Sequence, residues 1–231
     1  MVKVGGKANY SYLLTTLVLL LILAPLLEGV QAKLHGFVSV SFLRDLIFTL
    51  VFFAALSGVF LTKKMLLLGL SLAIPGILSR WMLYIDRDNL AFLALGYTSD
   101  IFFFALLVLL IMQFIRDSTA VDGNTICASV SGYFLIGFAF ARLYTCVDQF
   151  SDNAFYIPET NDEDMLWDKA RLFIYFSFVT LTTLGFGEIH PIGDFARAAV
   201  VLEAILGQMY IAILIAGLVG VFMMESKKEN G

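Results

Sequence analysis

Apolar residues dominate this chain in long blocks, with polar residues confined to short gaps between them. Six blocks are long enough to count as helices: Tyr10–Glu28, Val38–Leu61, Met65–Ile85, Phe92–Ile115, Ile126–Val147 and Phe195–Met224. A helix that crosses a bilayer needs about 20 predominantly apolar residues, and each block meets or approaches that length. A seventh stretch, Trp167–Thr182, is amphipathic and too short to span. It sits between the fifth and sixth blocks and runs directly into a glycine-containing turn. This pattern predicts six spanning helices with one re-entrant helix before the last.

Composition agrees. The 231 residues are 60% hydrophobic and 15% charged, with a mean hydropathy of +0.88. A water-soluble domain cannot hide that much apolar surface, so the bilayer is the expected solvent. Only two histidines, His35 and His190, are present, which excludes a histidine-rich metal site. Cys127 and Cys146 fall near opposite ends of the fifth block, too far apart to pair with each other. They are read as small buried hydrophobes. No internal repeat or low-complexity tract is present.

The segment Thr180-Leu181-Thr182-Thr183-Leu184-Gly185-Phe186-Gly187-Glu188 resembles the selectivity filter of the tetrameric potassium channel superfamily, T-x-x-T-x-G-Y-G-D. The resemblance runs from about Ala170 to Gly220; the first four blocks carry only a generic membrane signal. In such a filter, successive backbone carbonyls replace the water shell of a dehydrated ion. Glycines at alternate positions permit dihedrals that a Cβ disfavours. The resemblance implies that Thr183, Leu184, Gly185, Phe186 and Gly187 form the ion-coordinating strand, with K+ held by Thr183 to Phe186. Thr182, Glu188, Tyr175 and Phe176 would support it, the two aromatics as a cuff. Four strands are needed around one axis, so the implied assembly is a homotetramer.

Three residues depart from the usual motif. Phe186 stands in place of tyrosine and lacks its hydroxyl, Glu188 replaces aspartate, and Leu184 replaces valine. These changes bear on filter rigidity and on the degree of K+/Na+ discrimination. Glu188 could bond Tyr175 or stand free at the mouth.

In the last block, Gly207 lies at the spacing of the family's hinge glycine, which also suits close helix packing. Ile211, Ile215, Val219 and Met223 recur every four residues as one helical stripe. By the family register this stripe lines the cavity and inner gate. Gly217 and Gly220 offer further points of bending or close approach.

An outward-opening filter orients the chain, placing both termini in the cytoplasm. Lys3, Lys7, Lys63, Lys64, Arg116, Lys227 and Lys228 then lie inside, as the positive-inside rule asks. Seven acids, Asp148, Asp152, Glu159, Asp162, Glu163, Asp164 and Asp168, fall in the outer loop as a solvated turret. Lys3 and Lys7 ahead of an apolar run, with Val30-Gln31-Ala32 after it, also resemble a cleavable signal; the length of the run favours a retained first span.

Charges within the blocks demand partners. By depth, Arg44–Asp100 and Arg80–Asp45 are possible pairs, or the same residues exchanged. Arg142 and Glu203 are placed to brace the filter from behind. The fourth block has Asp100 as its only charge, so it lacks the repeated basic residues of a voltage sensor. Only a few residues follow Met224, so no soluble ligand-binding domain is expected there.

The expectation is an all-α integral membrane protein with a four-helix region at 1–123 and a pore domain at 124–231. It would conduct K+ passively as a multi-pass plasma-membrane channel, without a cofactor, nucleic-acid partner or covalent chemistry. The rivals are a weakly selective cation channel, a non-conducting regulatory subunit of a related channel, and a membrane enzyme or transporter in which the motif is accidental. The last lacks any catalytic cluster in the sequence.

Overall fold

The computed structural model describes residues 9–31, 46, 48–55, 59, 63–86, 89–118, 120–151, 153–157 and 165–229, the side chains of 23–31, 165–168, 218 and 220–229 excepted. Within them the helices are α1 (Tyr10–Gln31), α2 (described over residues 48–55), α3 (Lys63–Met82), α4 (Leu90–Asp117), α5 (Gly123–Phe150), α6 (Met165–Leu181) and α7 (Asp194–Glu229). Two short strands, β1 (Phe155–Tyr156) and β2 (His190–Pro191), pair antiparallel.

Helix ends follow local chemistry. The Asn89 side chain accepts from the amides of Ala91 and Phe92 and starts α4. Asp122 accepts from the Thr125 amide and hydroxyl, both at 2.8 Å, and starts α5. Such caps satisfy amides that the helix itself leaves open. Those bonds also hold the Asp122 carboxyl below its ordinary range. The connection between α4 and α5 is short, so the two pack as antiparallel neighbours.

Apolar side chains lie on the outer surface as well as in the core. Phe53, Leu67, Phe102 and Phe195 face outward, whereas Asp100 and Glu203 are fully buried. Among the described residues, four helical segments are long and apolar enough to cross a membrane: Lys63–Met82, Leu90–Asp117, Gly123–Phe150 and Asp194–Gly217. The described apolar part of α1, Tyr10–Ile22, is shorter, and most of the expected second span lies outside the described residues. At 17 residues, α6 reaches about 26 Å, short of a hydrocarbon core of about 30 Å.

One core joins the peripheral helices to α5. Leu13 and Leu17 of α1, Phe52 of α2, Phe103 and Leu107 of α4, and Leu135 and Phe138 of α5 belong to it, and Ile174 of α6 reaches it. The expected boundary at 123/124 falls at the first residues of α5, a helix that shares this core with α1 and α4. A second core gathers around Tyr144, Phe155, Phe173 and Phe176.

The intramembrane charges settle between helices. Asp100 Oδ2 accepts from Arg80 at 2.6 Å and from Arg142 at 2.7 Å, tying α4 to α3 and α5. The Arg80 guanidinium lies over the Phe48 ring and that of Arg142 over Tyr97. The observed pair is thus Arg80–Asp100, the exchanged form of the pairing by depth; Arg44 and Asp45 lie outside the described residues. Arg142, expected at the same depth as Glu203, joins this cluster instead, and its bond to Asp100 ties α5 to α4.

Between α5 and α7 the approach is close. A Cβ on Gly132 would sit 2.1 Å from the Tyr210 hydroxyl oxygen, and that hydroxyl donates to the Ser129 carbonyl at 2.8 Å. Tyr210 is buried and its ring has little room to retreat. Gly132→Ala is expected to destabilise the fold by about 1–3 kcal/mol, and Tyr210→Phe, which loses one bond, by about 1 kcal/mol. Thermal denaturation in detergent should rank the two in that order.

Candidate functional site: the turn after α6

The α6 helix ends at Leu181, and the chain turns without entering another regular element until β2. The Leu184 and Gly185 amides both donate to the Val179 carbonyl, at 2.9 and 3.3 Å, and the Thr183 amide to that of Thr180 at 3.0 Å. The Thr182 hydroxyl donates to the Phe178 carbonyl at 2.6 Å. These bonds use the donors of the turn to close the helix end.

Past that point the backbone alternates. Thr183 has φ +60°, Gly185 +62° and Gly187 +93°, with Leu184 and Phe186 between them in ordinary conformations. A left-handed φ at every second residue is a backbone alternation that allows successive carbonyls to face the same side. Two of the three positions are glycine, which takes this region at no steric cost. Thr183 is not, and a β-branched residue there is strained. Among the described residues, no donor reaches the carbonyls of Thr183 through Gly187. Residues 182 to 188 are all exposed in the single chain, and a Cβ on Gly185 or Gly187 would touch nothing within 4 Å.

The flanks are held from three directions. Tyr175 stacks on Phe186, with centroids 6.4 Å apart and planes within 12°, and its hydroxyl donates to Glu188 Oε1. That bond holds the Glu188 carboxyl below its ordinary range. Tyr133 of α5 donates to the Leu181 carbonyl at 3.0 Å, fixing the end of α6. Downstream, β2 pairs with β1, the Ile192 and Gly193 amides donate to the Ala154 carbonyl, and the His190 ring stacks on Tyr156. The exit of the turn is thereby tied to Ala154, Phe155 and Tyr156, just beyond the end of α5.

Other expected residues lie as follows. Phe176 is buried against Tyr144 and Phe155, in the core behind α6. Phe178 packs on Phe134 and Phe138. Gly207 abuts the end of α6: a Cβ there would lie 3.2 Å from the Leu181 carbonyl and 2.7 Å from a Leu181 methyl. Ile211, Ile215 and Val219 are exposed along α7, and the Met223 side chain lies outside the described residues. Glu203 bonds Ser177 of α6 and Tyr144 of α5.

Sequence reasoning missed Tyr133, Ser177 and the β1–β2 clamp. Tyr133 and Ser177 are isolated hydroxyls within apolar helices, a weak but readable signal. A two-residue strand has no periodicity to read.

Residues 131–224 match a protein family described as an ion channel. The match runs from within α5 through the turret, α6 and the turn, and along α7. No curated protein and no solved structure matches the chain. The family match and the apolar helices together support a multi-pass membrane protein with an ion-channel domain.

Proposed function

We propose that this chain is one subunit of a homotetrameric, potassium-selective channel of the plasma membrane, with K+ passing along the backbone of Thr183 to Gly187. The observation that carries the reading is the alternating left-handed φ at Thr183, Gly185 and Gly187 on a strand whose carbonyls lack donors, inside the region similar to ion channels. Carbonyl rings built this way replace hydration water. One strand supplies one wall, and the exposure of the strand and of Ile211, Ile215 and Val219 suits an axis shared with three further copies. The C-terminal end of α6 adds partial negative charge beneath the strand, favouring a cation.

Gating in this reading is not steeply voltage-dependent. The α4 helix carries Asp100 within the bilayer and its first basic residue only at Arg116. Both termini are cytoplasmic, and the channel uses no cofactor and catalyses no covalent reaction. The Tyr175–Glu188 bond takes the part of a polar strut at the outer mouth, which Phe186 cannot supply.

Liposomes holding the purified protein test the proposal. Flux driven by a potassium gradient, stopped by barium and small for sodium, is the expected result; equal flux for both ions would demote the strand to a loosely selective pore.

The mouth carboxylate gives a second prediction. Because Glu188 is held below its ordinary range by the Tyr175 hydroxyl, it stays ionised and keeps attracting cations as external pH falls through about 4.3, the unperturbed glutamate value. Tyr175→Phe removes the bond, so protonation and the accompanying loss of conductance move to higher pH. Conductance against external pH, compared between the two proteins, checks the direction.

A further inference from the structure

Behind the strand, three helices meet at one polar knot. Glu203 of α7 is fully buried. Its Oε2 accepts from the Tyr144 hydroxyl of α5 at 2.5 Å, and its Oε1 contacts the Ser177 hydroxyl of α6. Ser177 Oγ also lies 2.7 Å from the Gly137 carbonyl oxygen of α5. The ion pairs of the described residues do not include Glu203.

Counting protons assigns the donors. A carbonyl only accepts, so the Ser177–Gly137 bond uses the one proton of the serine hydroxyl. The Ser177–Glu203 contact then needs a proton from the carboxyl side. Tyr144 supplies its own proton to Oε2. An ionised Glu203 would leave two acceptors facing across the Ser177 contact, and would place a full charge in a buried site without a counter-ion, which is costly. A protonated one satisfies every contact in the knot.

We propose that Glu203 is a positioning residue that carries a proton on Oε1 and donates it to Ser177, locking α6 between α5 and α7 and so setting the filter strand. This rests on the reading of Thr183 to Gly187 as the filter. Ser177 lies one turn before Leu181, whose carbonyl is fixed by Tyr133 and whose side chain abuts Gly207. A shift of α6 at Ser177 is therefore passed to the strand. Ionisation of Glu203 breaks the Ser177 bond and loosens this lock. The other titratable groups near it are Tyr144 and Tyr133 on α5. Arg142 on α5 pairs with Asp100, α6 presents Ser177, and on α7 the nearest are Arg197 and Tyr210.

Two readouts test the proposal on the full-length protein in liposomes. The infrared difference between the native chain and Glu203→Gln should contain the carbonyl stretch of a protonated carboxylic acid near neutral pH. Its absence would overturn the proposal whether or not the protein conducts. Glutamine keeps a donor on one atom and an acceptor on the other, so Glu203→Gln should keep potassium flux within about threefold. Native flux should decline on alkalinisation, whereas that of Glu203→Gln should not. Identical pH profiles would overturn the positioning role. Ser177→Ala should remove the alkaline decline at its other end. The acid band without any potassium flux in the native chain would uphold the protonated knot and sink the filter reading instead.

Discussion

Gly185→Ala is expected to abolish potassium flux while leaving the protein folded. At φ +62° a Cβ meets the neighbouring carbonyl oxygen, at a cost of about 1–2 kcal/mol in each chain. In the proposed tetramer this applies four times, so holding the conducting backbone would cost about 4–8 kcal/mol, or roughly a thousandfold or more in its population. The chain has a cheaper course, which is to rotate the peptide and turn its carbonyl off the axis. Beyond that local contact, a Cβ at Gly185 touches nothing else within the chain. The defect is therefore conformational and local. Circular dichroism and size in detergent should match the native protein while flux is lost, and Gly187→Ala, at φ +93°, should behave alike. Native-like flux from Gly185→Ala would mean that this strand does not line the pathway.

Asp100→Asn is expected to have the largest effect on folding. The carboxylate is fully buried and shared by Arg80 and Arg142. Removing one side of a buried charge cluster costs about 3–5 kcal/mol, since the remaining charges stay in low dielectric. A domain stable by about 5–15 kcal/mol loses much of its margin. The yield of monodisperse protein and its melting temperature in detergent should both fall sharply. The triple change Asp100→Leu, Arg80→Met, Arg142→Met should recover much of the loss, because apolar groups of similar volume replace buried ions at little net cost. If Asp100→Asn melts like the native protein, the cluster contributes nothing to stability.

How far these features were legible in the sequence follows from their range. Helix positions were, because apolar runs of spanning length have few alternative states; α3, α4, α5 and α7 lie where the runs predict. The left-handed φ at Gly185 and Gly187 was legible because glycine at alternate positions signals such a backbone. The same geometry at Thr183 was not, since threonine carries no such signal and the turn imposes it. Depth along a span suggested partners for Arg80 and Asp100 but did not choose among them, because rotation of each helix about its axis decides which side chains meet. For the same reason Arg142 and Glu203, at similar depth, separated: one faces α4, the other α6. The role of Gly207 as a contact for Leu181 depends on an interhelical distance that no spacing within α7 encodes.

The most direct measurement of the central claim is the reversal potential of single channels in a planar bilayer with potassium on one side and sodium on the other. The carbonyl strand predicts a reversal displaced strongly toward the potassium equilibrium potential, and the displacement should persist when high salt screens the acidic turret. A reversal near zero, or one that collapses with added salt, would contradict selectivity by the backbone of Thr183 to Gly187 and leave surface charge as the source of any cation preference.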